Sequence, residues 1–270
     1  MKELHIISTG ISLLTNAQKQ GFFLDKKVSD EEHWQSILDS PGEIQKIVDF
    51  LKSDPMKNSA EMNTFLRVVG NKPVSNIDVY LFGTNTASNE LCRRAIEQFL
   101  KDCGFSIYTP YEVIGYFWEA KYYETSYAID QFKLGVSELL DRLIYLAKKK
   151  QKEGYKVFFN STGGLKAHVI ATALAGILTE CEIYYMNEEF REVVFLPKLF
   201  YIPKGRELEI LRILSDKKFV TGKEVDELEN NYMEEINRLE IYGLIARTPE
   251  EFQKALWITS KGLLFIAEQK

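Results

Sequence analysis

Apolar and polar residues change period repeatedly along the chain, and the changes mark its elements. Leu4 to Ser8 (Leu-His-Ile-Ile-Ser) is an apolar run that breaks at Thr9-Gly10, which predicts a buried strand entering a loop. Residues 29–53 are polar, with Trp34, Ile37, Leu38, Ile44, Ile47, Val48 and Leu51 at helical spacing. A helix is predicted over Ser59 to Val69, with Ser59 as its cap and Met62, Phe65, Leu66 and Val69 on one face. Ile77 to Phe82 is β-rich and ends at Gly83-Thr84-Asn85-Thr86, before a helical segment from Ser88 to Lys101. Phe105 to Thr109 is the next strand candidate, and residues 123–152 read as a long helix ending in Lys148, Lys149, Lys150 and Lys152. That basic run suits a solvated helix end at the negative pole of the dipole.

Lys156 to Asn160 predicts another strand, followed by turn residues Ser161 to Gly164 and a helix from Leu165 to Thr179. Glu182 to Met186 and Val193 to Leu196 then read as a closing hairpin. Strands alternating with helices at this spacing imply an α/β domain with a mainly parallel sheet. Around Pro203-Lys204-Gly205 the pattern changes. A helix over 206–215, a second opened by Thr221-Gly222-Lys223-Glu224, a third from Tyr232 to Tyr242 and short strands at 243–245 and 255–259 predict a winged helix-turn-helix. The expected division is therefore 1–204 and 205–270.

Composition narrows the function more than the fold. The 34 basic and 39 acidic residues leave a net charge of −5, which argues against a general binder of DNA or RNA polymers. Cys92, Cys103 and Cys181 show neither disulfide-framework nor metal-ligand spacing, which fits a reducing interior. Met1-Lys2-Glu3-Leu4 runs straight into the first strand, so no leader is expected, and no apolar stretch approaches the ~20 residues of a membrane span. These features predict a cytoplasmic protein with no membrane partner.

The sharpest chemical signal is Asn160-Ser161-Thr162-Gly163-Gly164-Leu165-Lys166. Two glycines allow a ligand close to the backbone, and a helix N-terminus beyond them presents free N–H groups. A lysine in that first turn opposes the helix dipole, so it reads as an anion contact rather than a helix stabiliser. The segment is neither a GxxxxGK[ST] loop nor GxGxxG. Ser8-Thr9-Gly10-Ile11-Ser12-Leu13-Leu14-Thr15-Asn16 offers hydroxyls and amides after the first strand, as an anion nest does, and Gly83-Thr84-Asn85-Thr86 does so after another.

Together with Ser59-Ala60-Glu61-Met62-Asn63, these segments resemble the CRISPR-associated Rossmann-fold (CARF) family, and most closely its ring-nuclease branch, whose CARF domain precedes a small winged-helix domain. The resemblance covers about residues 1–200 by motif and the tail by architecture. It implies a Rossmann-like ligand-binding and catalytic domain that binds cyclic tetra-adenylate across a homodimer. It further implies cleavage of that second messenger to linear di-adenylate with 2′,3′-cyclic phosphate ends, which switches off type III CRISPR signalling. Ser12 matches the hydroxyl residue that contacts the scissile phosphate, and Lys166 matches the lysine after the double glycine. Thr9, Gly10, Ile11, Thr84, Asn85, Asn160, Ser161, Thr162, Gly163 and Gly164 are the expected ligand-binding positions. Ile11 stands where the family more often has threonine, and Leu165 where an aromatic is common.

RNA carries its own nucleophile, so such an enzyme needs only to align the ribose 2′-hydroxyl and neutralise charge on the phosphorane. No cofactor and no catalytic metal are expected, since His, Asp and Glu show no ligand spacing. His168 lies two residues past Lys166, roughly 200° around the helix, and reads as a packing residue, as do His5 and His33. Tyr108, Tyr111, Tyr116, Phe117, Trp118, Tyr122, Tyr123 and Tyr127 suit packing or base stacking. The Arg-x4–6-His motif of HEPN-bearing CARF proteins is absent from the sequence. Two alternatives stay open, a transcription regulator that senses the ring and a ring binder that does not cleave it. The tail weakens the first, because residues 205–270 hold ten Lys/Arg against thirteen Asp/Glu, and its candidate recognition helix carries Glu234, Glu235, Arg238 and Glu240.

Overall fold

The computed structural model describes residues 2–23, 26–108, 128–187, 189, 191–196, 201–249 and 252–267. The chain divides into two compact units, Met1–Leu196 and Pro197–Lys270.

In the first unit the elements run Glu3–Thr9 (β1), Ser12–Lys19 (α1), Glu31–Leu38 (α2), Pro41–Ser53 (α3), Pro55–Asn58 (α4), Ala60–Val69 (α5), Ile77–Gly83 (β2), Ala87–Asp102 (α6), Ser106–Ile107 (β3), Ala128–Lys152 (α7), Lys156–Asn160 (β4), Lys166–Thr179 (α8), Glu182–Asn187 (β5) and Glu192–Phe195 (β6). The sheet has the order β3-β2-β1-β4-β5-β6, parallel throughout except for the antiparallel β5–β6 hairpin. This is an α/β, Rossmann-like arrangement, with helices on both faces. Alternating strand residues feed two cores. Ile7, Val79 and Leu81 pack under α1–α3, α5 and α6, while Leu4, Ile6, Tyr80 and Phe82 pack under α7 and α8. Ala171 and Ala175 are buried against the sheet, and a Cβ on Gly176 would lie 2.3 Å from Ile183, so the small side of α8 faces the strands.

Several local expectations change. Ser12–Lys19 is a helix rather than a loop, because Leu13, Leu14 and Ala17 share one buried stripe. The segment 29–53 splits in two at Asp39-Ser40, with Pro41 starting the second helix, where its missing N–H costs nothing. The third strand shrinks to Ser106–Ile107. The lysine run is not simply solvated. Lys150 is buried, with its ammonium 3.9 Å from the Tyr108 ring centre, 4.6 Å from that of Tyr155 and 2.8 Å from Glu153. Lys148 donates to the Thr179 carbonyl at the end of α8. Of the aromatic stretch, Tyr108 is described, and Tyr111 to Tyr127 lie outside the described residues.

The second unit contains Arg206–Lys217 (α9), Phe219–Thr221 (β7), Lys223–Ile241 (α10), Ile245–Arg247 (β8), Ala255–Ile258 (β9) and Ser260–Ala267 (α11). The predicted second and third helices form one run broken at Tyr232, whose φ is −142°. Strand β7 and helix α11 were not anticipated, and β7 makes the sheet three-stranded and antiparallel in the order β7-β9-β8. Leu211, Leu214, Val225, Ile236, Leu239, Leu244 and Leu256 fill its core. Among the described residues no helix is long and apolar enough to cross a membrane.

Candidate functional site

Strand order turns at one place. From β1 the sheet grows outward to β2 and β3, and from β4 it grows the other way to β5 and β6. The crevice beyond the carboxyl ends of β1 and β4 is the topological switch point, where doubly wound sheets bind ligands. Asn160 pairs in register with Ile7, so the loops following both strands start side by side. These are the two loops that the sequence marked as candidate anion sites.

Glu61 ties them together. It sits in the first turn of α5, fully buried, where a carboxylate also suits the dipole. One oxygen accepts the Gly10 N–H at 2.7 Å. The other accepts the Ser12 hydroxyl and the Ser59 hydroxyl, each at 2.8 Å. Ser12 Oγ in turn accepts the Ala60 N–H at 3.1 Å, and Ser59 caps α5 through the Met62 N–H. A Cβ on Gly163 would lie 2.1 Å from Glu61 Oε1, so the second loop packs its bare backbone against the same carboxylate. A Cβ on Gly10 would come within 2.7 Å of the Gly164 nitrogen, which brings the two loops into backbone contact.

The remaining expected site residues fall into three groups. Asn160 and Thr162 brace the second loop from below. Asn160 donates to the Glu61 carbonyl and accepts from the Thr162 N–H, while the Thr162 hydroxyl bonds Thr64 and takes the Met186 N–H. Ser161 donates to the Val169 carbonyl within α8. Thr9 is buried, with its hydroxyl on the Phe82 carbonyl and Asn89. Asn89 returns a bond to the Thr9 carbonyl and closes against Gly83, locking the β1 and β2 ends together. Ile11 precedes α1 at its N-cap position, and beside the β2 end Thr84 is half-buried and Asn85 exposed.

Lys166 opens α8, exposed to solvent and with no bonded partner among the described residues. Before it, Gly164 holds a φ of +97°, and a Cβ there would meet Ser8 Oγ at 2.4 Å. The Ser8 hydroxyl is buried with no hydrogen-bond partner among the described residues. His168 is buried beside Phe82, and burial pushes its imidazole down to about 4, so the ring is neutral at pH 7. Among the described residues no group of three His, Cys, Asp or Glu side chains gathers to hold a metal ion.

Glu61 is the functional candidate that residue-by-residue reasoning did not single out. In the sequence it looks like any acidic residue in a helix first turn. It was legible only as one position of the Ser59-Ala60-Glu61-Met62-Asn63 segment, where a cap followed by a first-turn carboxylate reads as an ordinary helix start.

The fold and the site define an α/β protein with two glycine-containing loops gathered around a buried carboxylate at its switch point. Residues 56–199, just over half of the chain, match the family described as CRISPR-associated protein (Cas_APE2256), and the chain belongs to that family. The matched segment includes Glu61, the Asn160–Gly164 loop and Lys166, and it begins after the Ser8–Ser12 loop.

Proposed function

We propose that this CRISPR-associated protein is a CARF-type ring nuclease, which binds cyclic tetra-adenylate at the β1–β4 crevice and cleaves it without a metal. The observation that carries the reading is Lys166. A cation with no partner among the described residues, set in the first turn of a helix where it opposes the dipole, has no stabilising role there that the dipole would reward. It suits an anion held by free helix amides and by backbone that glycines leave uncovered.

In the proposed reaction the ribose 2′-oxygen attacks the adjacent phosphorus, and the P–O5′ bond breaks. The 2′-hydroxyl loses a proton and the departing 5′-oxygen gains one, leaving a 2′,3′-cyclic phosphate. Lys166 and the α8 amides neutralise charge on the phosphorane. Dimerisation fits the outer face of α8, where Ile170, Leu174 and Leu178 recur every fourth residue at 58%, 43% and 49% exposure. A two-fold axis there would bring two Lys166 side chains to one ring, so that two cuts release di-adenylate. The second unit would serve as a winged-helix domain for assembly or ring covering rather than DNA reading. Three of its cations support this, since Arg238 is held by Glu207, Arg247 by Glu229 and Glu240, and Lys254 by Asp226 and Glu229.

The test is incubation of the purified protein with cyclic tetra-adenylate in EDTA, resolving the products. Di-adenylate with cyclic phosphate ends is expected, and Lys166→Ala should abolish it. An intact ring after long incubation leaves a sensor or sponge, and tight duplex binding at physiological salt would point to the regulator.

A further inference from the structure

The bonds around Ser12 fix which way its hydroxyl can act. A serine hydroxyl has one proton to donate and two lone pairs to accept with. Here the proton goes to Glu61 Oε2 at 2.8 Å, and one lone pair takes the Ala60 N–H at 3.1 Å. What remains is a single lone pair on the oxygen of a half-buried residue. In this arrangement Ser12 cannot donate to a phosphate oxygen, but it can accept from a ligand hydroxyl. Glu61 enforces that polarity, because a carboxylate offers no proton of its own and already holds the Gly10 amide and the Ser59 hydroxyl.

We infer that Glu61 positions Ser12 as an acceptor for the ribose 2′-hydroxyl, so that Ser12 and Glu61 form the path by which the nucleophile loses its proton. The inference rests on the ring-cleavage reading and deepens it. The 2′-O–H proton passes to Ser12 Oγ as the Ser12 proton moves to Glu61, and the freed 2′-oxygen bonds to phosphorus. The P–O5′ bond breaks, and the 5′-oxygen leaves with a proton from the Lys166 ammonium. The proton on Glu61 returns through Ser12 to solvent once the product has left, and solvent reprotonates Lys166, so no net proton is consumed. Ser12 touches the reacting group, whereas Glu61 acts only through it.

Glu61→Gln separates this role from support of the loops. The amide oxygen can keep the Gly10 N–H, while the amide nitrogen donates to Ser12 and Ser59 and so reverses the polarity. Single-turnover cleavage of cyclic tetra-adenylate and ring affinity are measured for wild type, Glu61→Gln, Ser12→Ala and the double variant. General-base assistance is worth about 10²–10⁴-fold, so each single variant should slow cleavage about 100-fold or more with ring affinity changed less than about threefold. Because the two residues act as one unit, the double variant should be no more than about twofold slower than Ser12→Ala.

Three results would overturn the inference while leaving ring cleavage standing. One is wild-type cleavage by either single variant, another is multiplicative losses in the double variant, and the third is loss of ring affinity in step with rate. Ser12→Ala leaves Glu61 and the loop amides in place, so wild-type cleavage by that variant overturns the inference even if Glu61→Gln folds poorly. A wild-type protein that cleaves no ring overturns both readings together.

Discussion

Replacing Gly163 with alanine puts a methyl group into the most crowded part of the site. The added Cβ would lie 2.1 Å from Glu61 Oε1, 2.6 Å from its Cδ and 2.7 Å from its Cγ. All three are side-chain atoms, and in a mobile glutamate they would swing away at little cost. Glu61 is fully buried and pinned by Gly10, Ser12 and Ser59, so the clearance must be made by stretching or breaking those bonds. Hydrogen bonds to a charged group contribute about 1.5–3 kcal/mol each, and overpacking costs about 1–3 kcal/mol. With partial relaxation, a loss of about 2–4 kcal/mol is expected, or roughly 5–15 °C in Tm for a unit of this size. The assay is urea and thermal unfolding alongside Gly42→Ala. Gly42 lies in the first turn of α3 with no atom within 4 Å of a Cβ, so that control should gain about 0.5 kcal/mol. A Gly163→Ala protein within about 1 kcal/mol of wild type would show that the Glu61 carboxylate is not held as described.

Lys166→Ala should leave Tm unchanged, since the side chain is exposed and has no bonded partner among the described residues; a drop of several degrees would give it a structural role. His168 is depressed to about 4 against an ordinary value of 6.5, so the unfolded chain binds the proton more readily. Its contribution is therefore whole above pH 6.5 and lost as the pH falls toward 4. About 2 kcal/mol should go between pH 7.5 and pH 5, and His168→Gln should flatten that slope in urea titrations. Leu174→Arg should convert the proposed dimer to a monomer in sedimentation velocity; a wild-type monomer would remove the dimer, and a variant that stays dimeric would remove α8 as its interface. Glu207 is buried and accepts from Tyr201, the Lys204 N–H and Arg238. Glu207→Ala should cost about 2–4 kcal/mol, visible as faster hydrogen exchange in residues 206–258 with the β1–β5 strands unaffected.

Much of the scaffold was legible because periodicity reports burial directly. Strands β1, β2 and β4 read as apolar runs ending in small polar residues, and the Ser59 cap marked the start of α5. Local pattern failed where a few side chains carried the information. Helix α1 is short, and its three buried residues sit among hydroxyls that read as a loop. Lys150 was misread as solvated because the ring that covers its ammonium most closely, Tyr108, lies some forty positions earlier in the chain, whereas its local partner Glu153 alone would suit an exposed helix end.

The sequence by itself determined the elements, the glycine turn before α8 and the lysine that opposes the dipole of that helix. It did so because backbone freedom, helix dipoles and burial periodicity are set by neighbours a few residues apart. Only the tertiary structure decided that β1 and β4 are adjacent, which makes two distant loops one crevice. Only it showed that Glu61, about fifty positions from Gly10 and Ser12 and about a hundred from Gly163, serves both loops. That juxtaposition follows from strand order, which depends on how whole faces pack and leaves no mark in the local pattern.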